Sequence, residues 1–370
     1  MKIGCPKEIK KHEYRVGLTP ACVKNYVAHG HEVMIETGAG ADTDFLDGEY
    51  IAAGAEIKPN RDAIFAEAEM IVKVKEPQPE EYDLFREDQI LYTYLHLAAD
   101  KTLTEMLMAK KVKAIAYETI EDEDGALPCL IPMSEIAGRL SVQEGAKYLE
   151  KTFGGRGVLL GGVPGVRRGR IAILGGGIVG TNACKMAVGI GAHVTVLDVN
   201  SARMAYLDDI FGSSITTLYA TDANIESILK DSDVIIGAVL IPGATAPKLI
   251  TREQLKLMRK GTVLVDVAID QGGCFESSHV TSHDDPIYIE EGIVHYCVGN
   301  MPGAVALSST LALTSTTLPY GLTIADMGVE GACKSSPVIA KGLNVYDGHC
   351  TYENVATSLG ISFTKHSELI

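Results

Sequence analysis

Polar residues suited to binding and proton transfer follow short apolar runs in the first hundred positions. Lys75 ends one such run, His96 ends another, and Arg15 precedes a predicted helix start. An arginine suits a carboxylate through two parallel N–H···O bonds, a lysine offers a compact cation for an oxygen, and a histidine exchanges protons near neutral pH. Ordinary alternatives stay open: a surface ion pair for Arg15, a strand flank for Lys75 and a hydrogen-bonded buried side chain for His96.

A fourth candidate is Asp270, which follows the apolar run 263–269 and precedes a glycine-loosened loop. There it would sit at the carboxyl end of a strand, near a bound nicotinamide, although an aspartate before glycine is also a common turn residue. His279 and His283 have i, i+4 spacing, but the Ser/Thr content and Pro286 predict a loop. We therefore predict no metal site.

The clearest motif is RIAILGGGIVG, which contains a G-x-G-x-x-G turn between an apolar strand and a helix-like segment. Gly175 permits the tight turn, Gly177 lets a pyrophosphate approach the backbone, and Gly180 lets the helix pack on the strand. The helix N-terminus offers N–H groups and the positive end of its dipole to phosphates. This βαβ unit predicts a Rossmann site for a dinucleotide.

Asp198 ends the second strand of that unit and predicts which dinucleotide binds. A carboxylate accepts hydrogen bonds from both ribose hydroxyls and repels a 2′-phosphate. The first basic residue beyond it is Arg203. The sequence favours NAD over NADP, with a capping or solvated aspartate as the alternative.

These residues need two α/β layers to position them. The fold class we predict is α/β with two doubly wound domains, a Rossmann NAD-binding domain inserted in a discontinuous α/β substrate domain. Strand-like runs in the first part occupy 33–36, 70–74, 90–95 and 112–117. Six further runs in the second part occupy 171–174, 194–197, 215–219, 234–239, 262–267 and 293–298.

The predicted domain boundaries follow from the end of this alternation. Residues 1–128 plus 307–370 form the substrate or catalytic domain, and residues 129–306 form the NAD-binding domain, with the active site expected in the cleft between them. We expect a linking helix from a Ser134 cap to about Phe153. A later helix is expected to run from Ala304 to Leu318 and to stop at Pro319.

The amino-acid composition limits the kinds of molecule that the protein is expected to bind. The chain has 370 residues, 33 Lys and Arg against 48 Asp and Glu, and a net charge of −15. That charge disfavours nucleic acid and anionic membranes as partners. No stretch approaches about 18 uninterrupted apolar residues, the start lacks the apolar core of a signal peptide, and the 8 cysteines lie far apart. We expect a cytoplasmic protein with reduced thiols that acts on small molecules.

With these residues in place, the whole chain resembles the bacterial alanine dehydrogenases of the alanine dehydrogenase / transhydrogenase N-terminal family. The matching blocks are IGCPKEIKKHEYRVGLTP, IVKVKEPQPEEYDL, YLHLA, AYETIE, GRIAILGGGIVG, VLVDVAIDQGG and HYCVGNMPGAVALSSTLALTSTTLPY. The resemblance implies reversible oxidative deamination of L-alanine by NAD⁺ to pyruvate and ammonium, in a homohexamer.

The resemblance also implies residue roles. Arg15 and Lys75 would hold the substrate, and His96 and Asp270 would move protons, in an order that stays open. The positions implied to contact NAD, together with the motif glycines, are Ser134, Gly175, Gly177, Ile178, Val179, Gly180, Asp198, Arg203, Ala220, Val239, Leu240, Val267, Asp270, Val298, Asn300 and Met301.

The sequence departs from the family pattern at a few positions. Ala220 replaces a serine that is common in the family, so one adenosine hydrogen bond is in doubt, and Ala306-Leu307 replaces Pro-Arg. Two alternative functions stay open: an NAD(H)-binding transhydrogenase-like subunit, and a non-catalytic NAD-sensing protein.

Overall fold

A computed structural model of the chain describes residues 1–239 and 246–370. The chain forms two compact units. The first comprises Met1–Met133 and Val305–Ile370, and the second comprises Ser134–Ala304. The second unit is therefore inserted into the sequence of the first.

The first unit contains a parallel sheet that is wound in two directions. Its strands are β1 (Lys2–Cys5), β2 (Glu32–Glu36), β3 (Glu56–Lys58), β4 (Met70–Val72), β5 (Ile90–Thr93) and β6 (Lys113–Ala116). They lie in the order β3-β2-β1-β4-β5-β6, and all are parallel. The chain progresses outward from β1 on one side and from β4 on the other, so the topological switch point lies between these two strands.

Helices α1 (Pro20–Ala28), α2 (Asp47–Ala52), α3 (Arg61–Glu67) and α4 (Lys101–Ala109) connect these strands. Three of the helices begin where the sequence offers a capping oxygen. The side chains of Thr19, Asn60 and Asp100 each accept a backbone N–H from the first turn of α1, α3 and α4. Such caps satisfy N–H groups that have no partner within the helix.

The second unit repeats this architecture. After α5 (Ile131–Tyr148), its elements are β7 (Arg170–Leu174), α6 (Ile178–Gly189), β8 (His193–Asp198), α7 (Ser201–Phe211), β9 (Ile215–Tyr219), α8 (Asp222–Asp231), β10 (Val234–Gly237), β11 (Val263–Asp266), β12 (Ile287–Glu290) and β13 (Ile293–Tyr296). The order β9-β8-β7-β10-β11-β13 is parallel throughout, and β12 adds an antiparallel edge to β13. The predicted class, two doubly wound α/β sheets, is confirmed.

The chain returns to the first unit through α9 (Ala306–Ser335), α10 (Pro337–Gly342), β14 (Leu343–Tyr346), β15 (His349–Cys350) and α11 (Glu353–Leu359). Strand β14 pairs antiparallel with β6, and β15 pairs antiparallel with β14. The C-terminal segment thus extends the sheet that the N-terminal segment begins.

Two predicted helix boundaries are wrong. Helix α5 begins at Ile131, so Ser134 lies inside its first turns and is not its cap, and the helix ends at Tyr148 before a separate 3₁₀ turn. Helix α9 continues through Pro319 to Ser335, with non-helical dihedral angles only at Gly328. A proline removes one N–H from a helix, and a helix of this length keeps enough of its other hydrogen bonds to continue.

Within the two described ranges, no helix is both long enough and apolar enough to cross a lipid bilayer.

Candidate active site

The carboxyl ends of β1, β4 and β5 meet at one edge of the first sheet, because these strands are parallel neighbours. The loop after β1 carries Arg15, the segment after β4 carries Lys75, and His96 follows β5. The two loops on either side of the switch point touch directly, since Lys10 forms an ion pair with Glu76. Open α/β sheets bind ligands at such a point. Three of the four predicted chemical residues therefore lie along one sheet edge.

Arg15 is held by a buried carboxylate. Its side chain is 2% exposed, and Nε and Nη2 donate to the two oxygens of Glu13 at 2.7 and 2.6 Å. Nη1 donates to the sulfur of Met133 at 3.1 Å. Burial disfavours the charged form, but the hydrogen bonds and charge of Glu13 outweigh it and raise the pKa of Arg15. The guanidinium thus keeps its charge and a fixed orientation.

Lys75 lies next to a buried network of charges. The preceding Lys73 is fully buried, and its Nζ lies 3.1 Å from Glu8 Oε2 and 2.8 Å from Glu81 Oε1. Lys75 itself is half-buried, and its carbonyl accepts a hydrogen bond from the Thr93 hydroxyl at 3.0 Å. The segment that carries Lys75 is therefore anchored to the loop after β1 and to β5.

The pKa of the neighbouring Glu76 reflects the positive charge at this edge of the sheet. Burial opposes its ionisation, but the charges of Lys75 and Lys10, with a smaller contribution from His96, lower its pKa. Glu76 is thus stabilised in its ionised form beside Lys75 and Lys10.

His96 has an exposed side chain and a left-handed backbone, with φ 51° and ψ 35°. Its N–H donates to Glu118 Oε1 at 2.7 Å, and its ring lies nearly parallel to that of Tyr94, with centroids 6.0 Å apart. Left-handed residues other than glycine persist where their surroundings hold them, and they are common at functional sites.

In the second unit, the glycine motif has the shape that a dinucleotide requires. Gly175 has φ 102°, and a Cβ on Gly180 would lie 1.8 Å from the Gly175 carbonyl oxygen, so the helix packs directly on the turn. A Cβ on Gly177 would meet no described atom within 4 Å, and Gly177 caps α6 without a side-chain acceptor. The first turn of α6 therefore presents its N–H end beside open space, which fits a pyrophosphate group.

Asp198 ends β8 and contacts the glycine turn. Its Oδ2 accepts the Gly176 N–H at 2.6 Å, and its Oδ1 accepts the Asn200 N–H at 2.8 Å. Arg203 donates to the Gly176 carbonyl and to the Thr181 hydroxyl. Each carboxylate oxygen has a second lone pair, so Asp198 can hold the turn and still accept hydrogen bonds from a ribose.

Other residues expected near the nucleotide lie along the same sheet edge. Ala220 follows β9, Val239 lies just after β10, and Val267 follows β11. Ile178 and Val179 form the first turn of α6. Ser134 lies in α5, and Leu240 lies outside the described residues.

Asp270 is exposed in a 3₁₀ turn after β11, and it approaches the segment that contains Asn300. Its Oδ2 lies 3.5 Å from the Asn300 backbone nitrogen. Asn300 has a left-handed backbone with φ 58°, and Met301 beside it is buried, as is Val298. The structure thus brings Asp270 close to the backbone of Asn300, which Val298 and Met301 flank in sequence.

Sequence reasoning did not select several acids that hold these residues in place. Glu8, Glu13 and Glu118 contact the loops of the first sheet edge, and Asp266 accepts N–H groups of Ala268 and Cys274 in the loop that contains Asp270. The sequence feature that could have identified these acids is an acidic residue at, or a few positions after, the end of a buried strand.

The two loop histidines have other partners. His279 stacks on Tyr288, and His283 lies 3.3 Å from the Asn300 carbonyl oxygen. In the part of the chain that the structure describes, no three His, Cys, Asp or Glu side chains are arranged to hold a metal ion.

Comparison with known proteins identifies relatives over the full length. The alanine dehydrogenase of Methanococcus maripaludis is 56% identical over 365 residues, which is 98% of this chain and 98% of that protein. The alanine dehydrogenase of Geobacillus stearothermophilus is 53% identical over 373 residues and covers 100% of both chains.

Solved structures are also similar to this chain over nearly its full length. One titled L-alanine dehydrogenase matches with a TM-score of 0.95 at 52% identity, over 97% of this chain and 99% of the other. A transhydrogenase from Sinorhizobium meliloti matches with a TM-score of 0.82, over 95% of this chain and 99% of the other. Its identity of 23% shows a common fold only.

Family models match both segments of the chain. The N-terminal domain model of alanine dehydrogenase/PNT matches residues 4–137, and the C-terminal domain model matches residues 141–353. Since these matches span most of the sequence, this chain belongs to the alanine dehydrogenase/PNT family.

Proposed function

We propose that this protein is an NAD-dependent alanine dehydrogenase. The reaction consumes L-alanine, water and NAD⁺ and yields pyruvate, ammonium, NADH and a proton, and it is reversible. The observation that carries the proposal is the sheet edge where Arg15, Lys75 and His96 follow adjacent strands. Full-length relatives named alanine dehydrogenase, with more than half of their residues identical, support it.

Each of these residues has a role that suits a 2-amino or 2-oxo acid. The cations of Arg15 and Lys75 bind the substrate carboxylate and fix the orientation of its Cα–H bond. Lys75 also stabilises negative charge that develops on the carbonyl oxygen. His96 and Asp270 take the ammonium proton and assist the addition of water to the imine carbon.

NAD is the proposed cofactor, and the second unit is proposed to bind it. NAD⁺ supplies the hydride acceptor when it is bound. The open approach to Gly177 and the position of Asp198 support this choice. Asp198 accepts ribose hydroxyls and repels a 2′-phosphate, so NADPH should be a poor substitute.

The test is absorbance at 340 nm with purified protein, pyruvate, ammonium and NADH, with NADPH in a parallel reaction. We expect rapid loss of NADH and much slower loss of NADPH, with the reverse reaction from L-alanine and NAD⁺. Omission of ammonium is the matched control, because a 2-hydroxy-acid dehydrogenase would still oxidise NADH. Tight NADH binding without turnover would contradict the proposal and favour a transhydrogenase-like or sensing role.

A homo-oligomer, and a hexamer in particular, is part of the same proposal and has its support in the family resemblance. Light scattering coupled to size-exclusion chromatography tests it. A mass near six times 39.5 kDa is expected.

A further inference from the structure

The segment that follows strand β4 has two successive backbone N–H groups that donate to one carboxylate oxygen. The N–H of Val74 and the N–H of Lys75 lie 2.6 and 3.2 Å from Glu8 Oε1. Glu8 comes from the loop after β1, on one side of β4. It is buried, and its second oxygen contacts the Lys73 ammonium.

The segment that follows strand β5 also donates two successive N–H groups to one carboxylate. The N–H of Leu95 lies 3.1 and 3.3 Å from the two oxygens of Glu118, and the N–H of His96 lies 2.7 Å from Oε1. Glu118 comes from the turn after β6, on the other side of β5. In both segments, the second residue of the pair carries a side chain that the proposed reaction uses.

These contacts have a physical reason. Where a parallel strand leaves its sheet, its N–H groups lose their ladder partners and need another acceptor. A carboxylate that accepts two such groups forms stronger, charge-assisted hydrogen bonds than a carbonyl would. Because both donors belong to consecutive residues, the acceptor fixes the direction in which the second side chain leaves the backbone.

The geometry points to Glu8 and Glu118 as positioning residues. We propose that Glu8 sets the place of Lys75, and that Glu118 holds His96 in its left-handed conformation. This inference rests on the proposed function, because the two side chains are placed for the reaction of a 2-amino acid. The two glutamates should therefore differ in their effects. Loss of Glu8 should disturb substrate binding, and loss of Glu118 should disturb proton transfer.

The experiment compares E8Q, E8A, E118Q and E118A in steady-state kinetics with L-alanine and NAD⁺. A displacement of about 1 Å of a reacting group can cost on the order of 10²-fold in rate, so E118A should lower kcat by about 10- to 10²-fold. Its KM for L-alanine should stay within about 2-fold, since Arg15 and Lys75 are untouched. E118Q retains an acceptor oxygen and should recover most of kcat.

E8A should show the opposite pattern, with a KM for L-alanine and pyruvate about 10-fold higher and a smaller change in kcat. The glutamine variant E8Q keeps the size and one acceptor oxygen at this buried position, so it covers the case in which E8A does not fold. Neither glutamate lies in the second unit, so the Kd for NADH should be unchanged in all four variants.

Two control variants change glutamates that do not hold the Glu8 or Glu118 contacts. E121Q alters the acid three positions after Glu118, which pairs with Lys341, and E69Q alters the acceptor of the Lys2 N–H at the amino end of β1. Both should retain the kinetics of the unaltered enzyme.

Equal loss of kcat and rise of KM in the E8 and E118 variants, in proportion to a fall in Tm, would show that the acids only stabilise the fold. Unchanged kinetics in E118A would also overturn the inference. An unaltered protein without alanine dehydrogenase activity would instead overturn the proposed function, and the inference would fall with it.

Discussion

His96 has φ 51° and ψ 35°, and this backbone conformation decides which substitution tests its role. Asparagine adopts left-handed dihedral angles more readily than other residues, so His96→Asn should keep the turn while removing the imidazole. General acid–base catalysis typically contributes ~10²–10⁴-fold, and kcat should fall by that factor with the Tm unchanged.

The matched control is His12→Asn. His12 is also a left-handed histidine, with φ 62°, and it has no role in the proposed reaction. Its substitution should leave kcat unaltered. Near-normal turnover in His96→Asn would remove His96 from the mechanism.

His295 should make the stability of the folded protein depend on pH. Burial lowers its pKa to about 4, and its ring is held between the Ser277 hydroxyl, 2.8 Å from Nε2, and the Ile293 carbonyl, 3.0 Å from Nδ1. The unfolded chain binds the proton near pH 6.5, but the folded chain binds it only near pH 4, so acid favours unfolding between these values. Stability from this group is complete above about pH 6.5 and is lost as the pH falls, by on the order of 3 kcal/mol.

His295→Gln preserves a donor and an acceptor but does not titrate. The free energy of unfolding, measured with urea at pH 7 and pH 4.5, should fall less in this variant than in the unaltered protein. Equal falls would mean that other groups cause all of the acid sensitivity.

At the element scale, the junction of β7 and α6 distinguishes folding from binding. A Cβ at Gly180 would lie 1.8 Å from the Gly175 carbonyl oxygen, so Gly180→Ala should force the helix off the strand and lower the Tm. A Cβ at Gly177 meets no described atom within 4 Å, and its φ of −65° suits alanine. Gly177→Ala should therefore fold normally.

The two variants should differ in binding as well. In Gly177→Ala the new methyl group would occupy the approach to the backbone, so the Kd for NADH should rise by about 10-fold or more with the Tm of the apo protein unchanged. The enhancement of NADH fluorescence on binding gives the Kd. A normal Kd in Gly177→Ala would place the pyrophosphate elsewhere.

The elements also show why some features could be predicted and others could not. The glycine turn and the strands around it depend on local chemistry, so they are visible in sequence. Strand β1 has only four residues and was not predicted, yet it lies at the centre of its sheet between β2 and β4. Its place depends on partners far along the chain, which periodicity cannot detect.

Among the site residues, Lys75 and His96 were visible because polar groups stand out after apolar strands. The acids that hold them were not, because Glu8 and Glu118 lie 67 and 22 positions away in sequence from those partners. The C-terminal hairpin of β14 and β15 was also missed. Strand β14 contains the polar Asn344, and its buried amide donates to Thr119, a partner far away in the sequence.

For the whole molecule, the order of segments along the chain predicts how it can be divided. The second unit is continuous in sequence, and its sheet is formed only from its own residues. The first unit needs both termini, because β14 pairs with β6 and α9 packs on α1. A continuous domain with its own core can fold alone, whereas a domain assembled from two segments cannot do so from one of them.

We therefore expect residues 127–304, which include all of α5, to fold as an isolated fragment, and residues 1–130 to aggregate. The fragment should show cooperative thermal unfolding, and NADH should raise its Tm, because a ligand that binds only the folded state stabilises it by mass action. It should have no alanine dehydrogenase activity, since Arg15, Lys75 and His96 are absent. A fragment that folds but gains no stability from NADH would show that the Rossmann unit alone is insufficient for nucleotide binding, and the proposed assignment of NAD to that unit would need contacts from the rest of the chain.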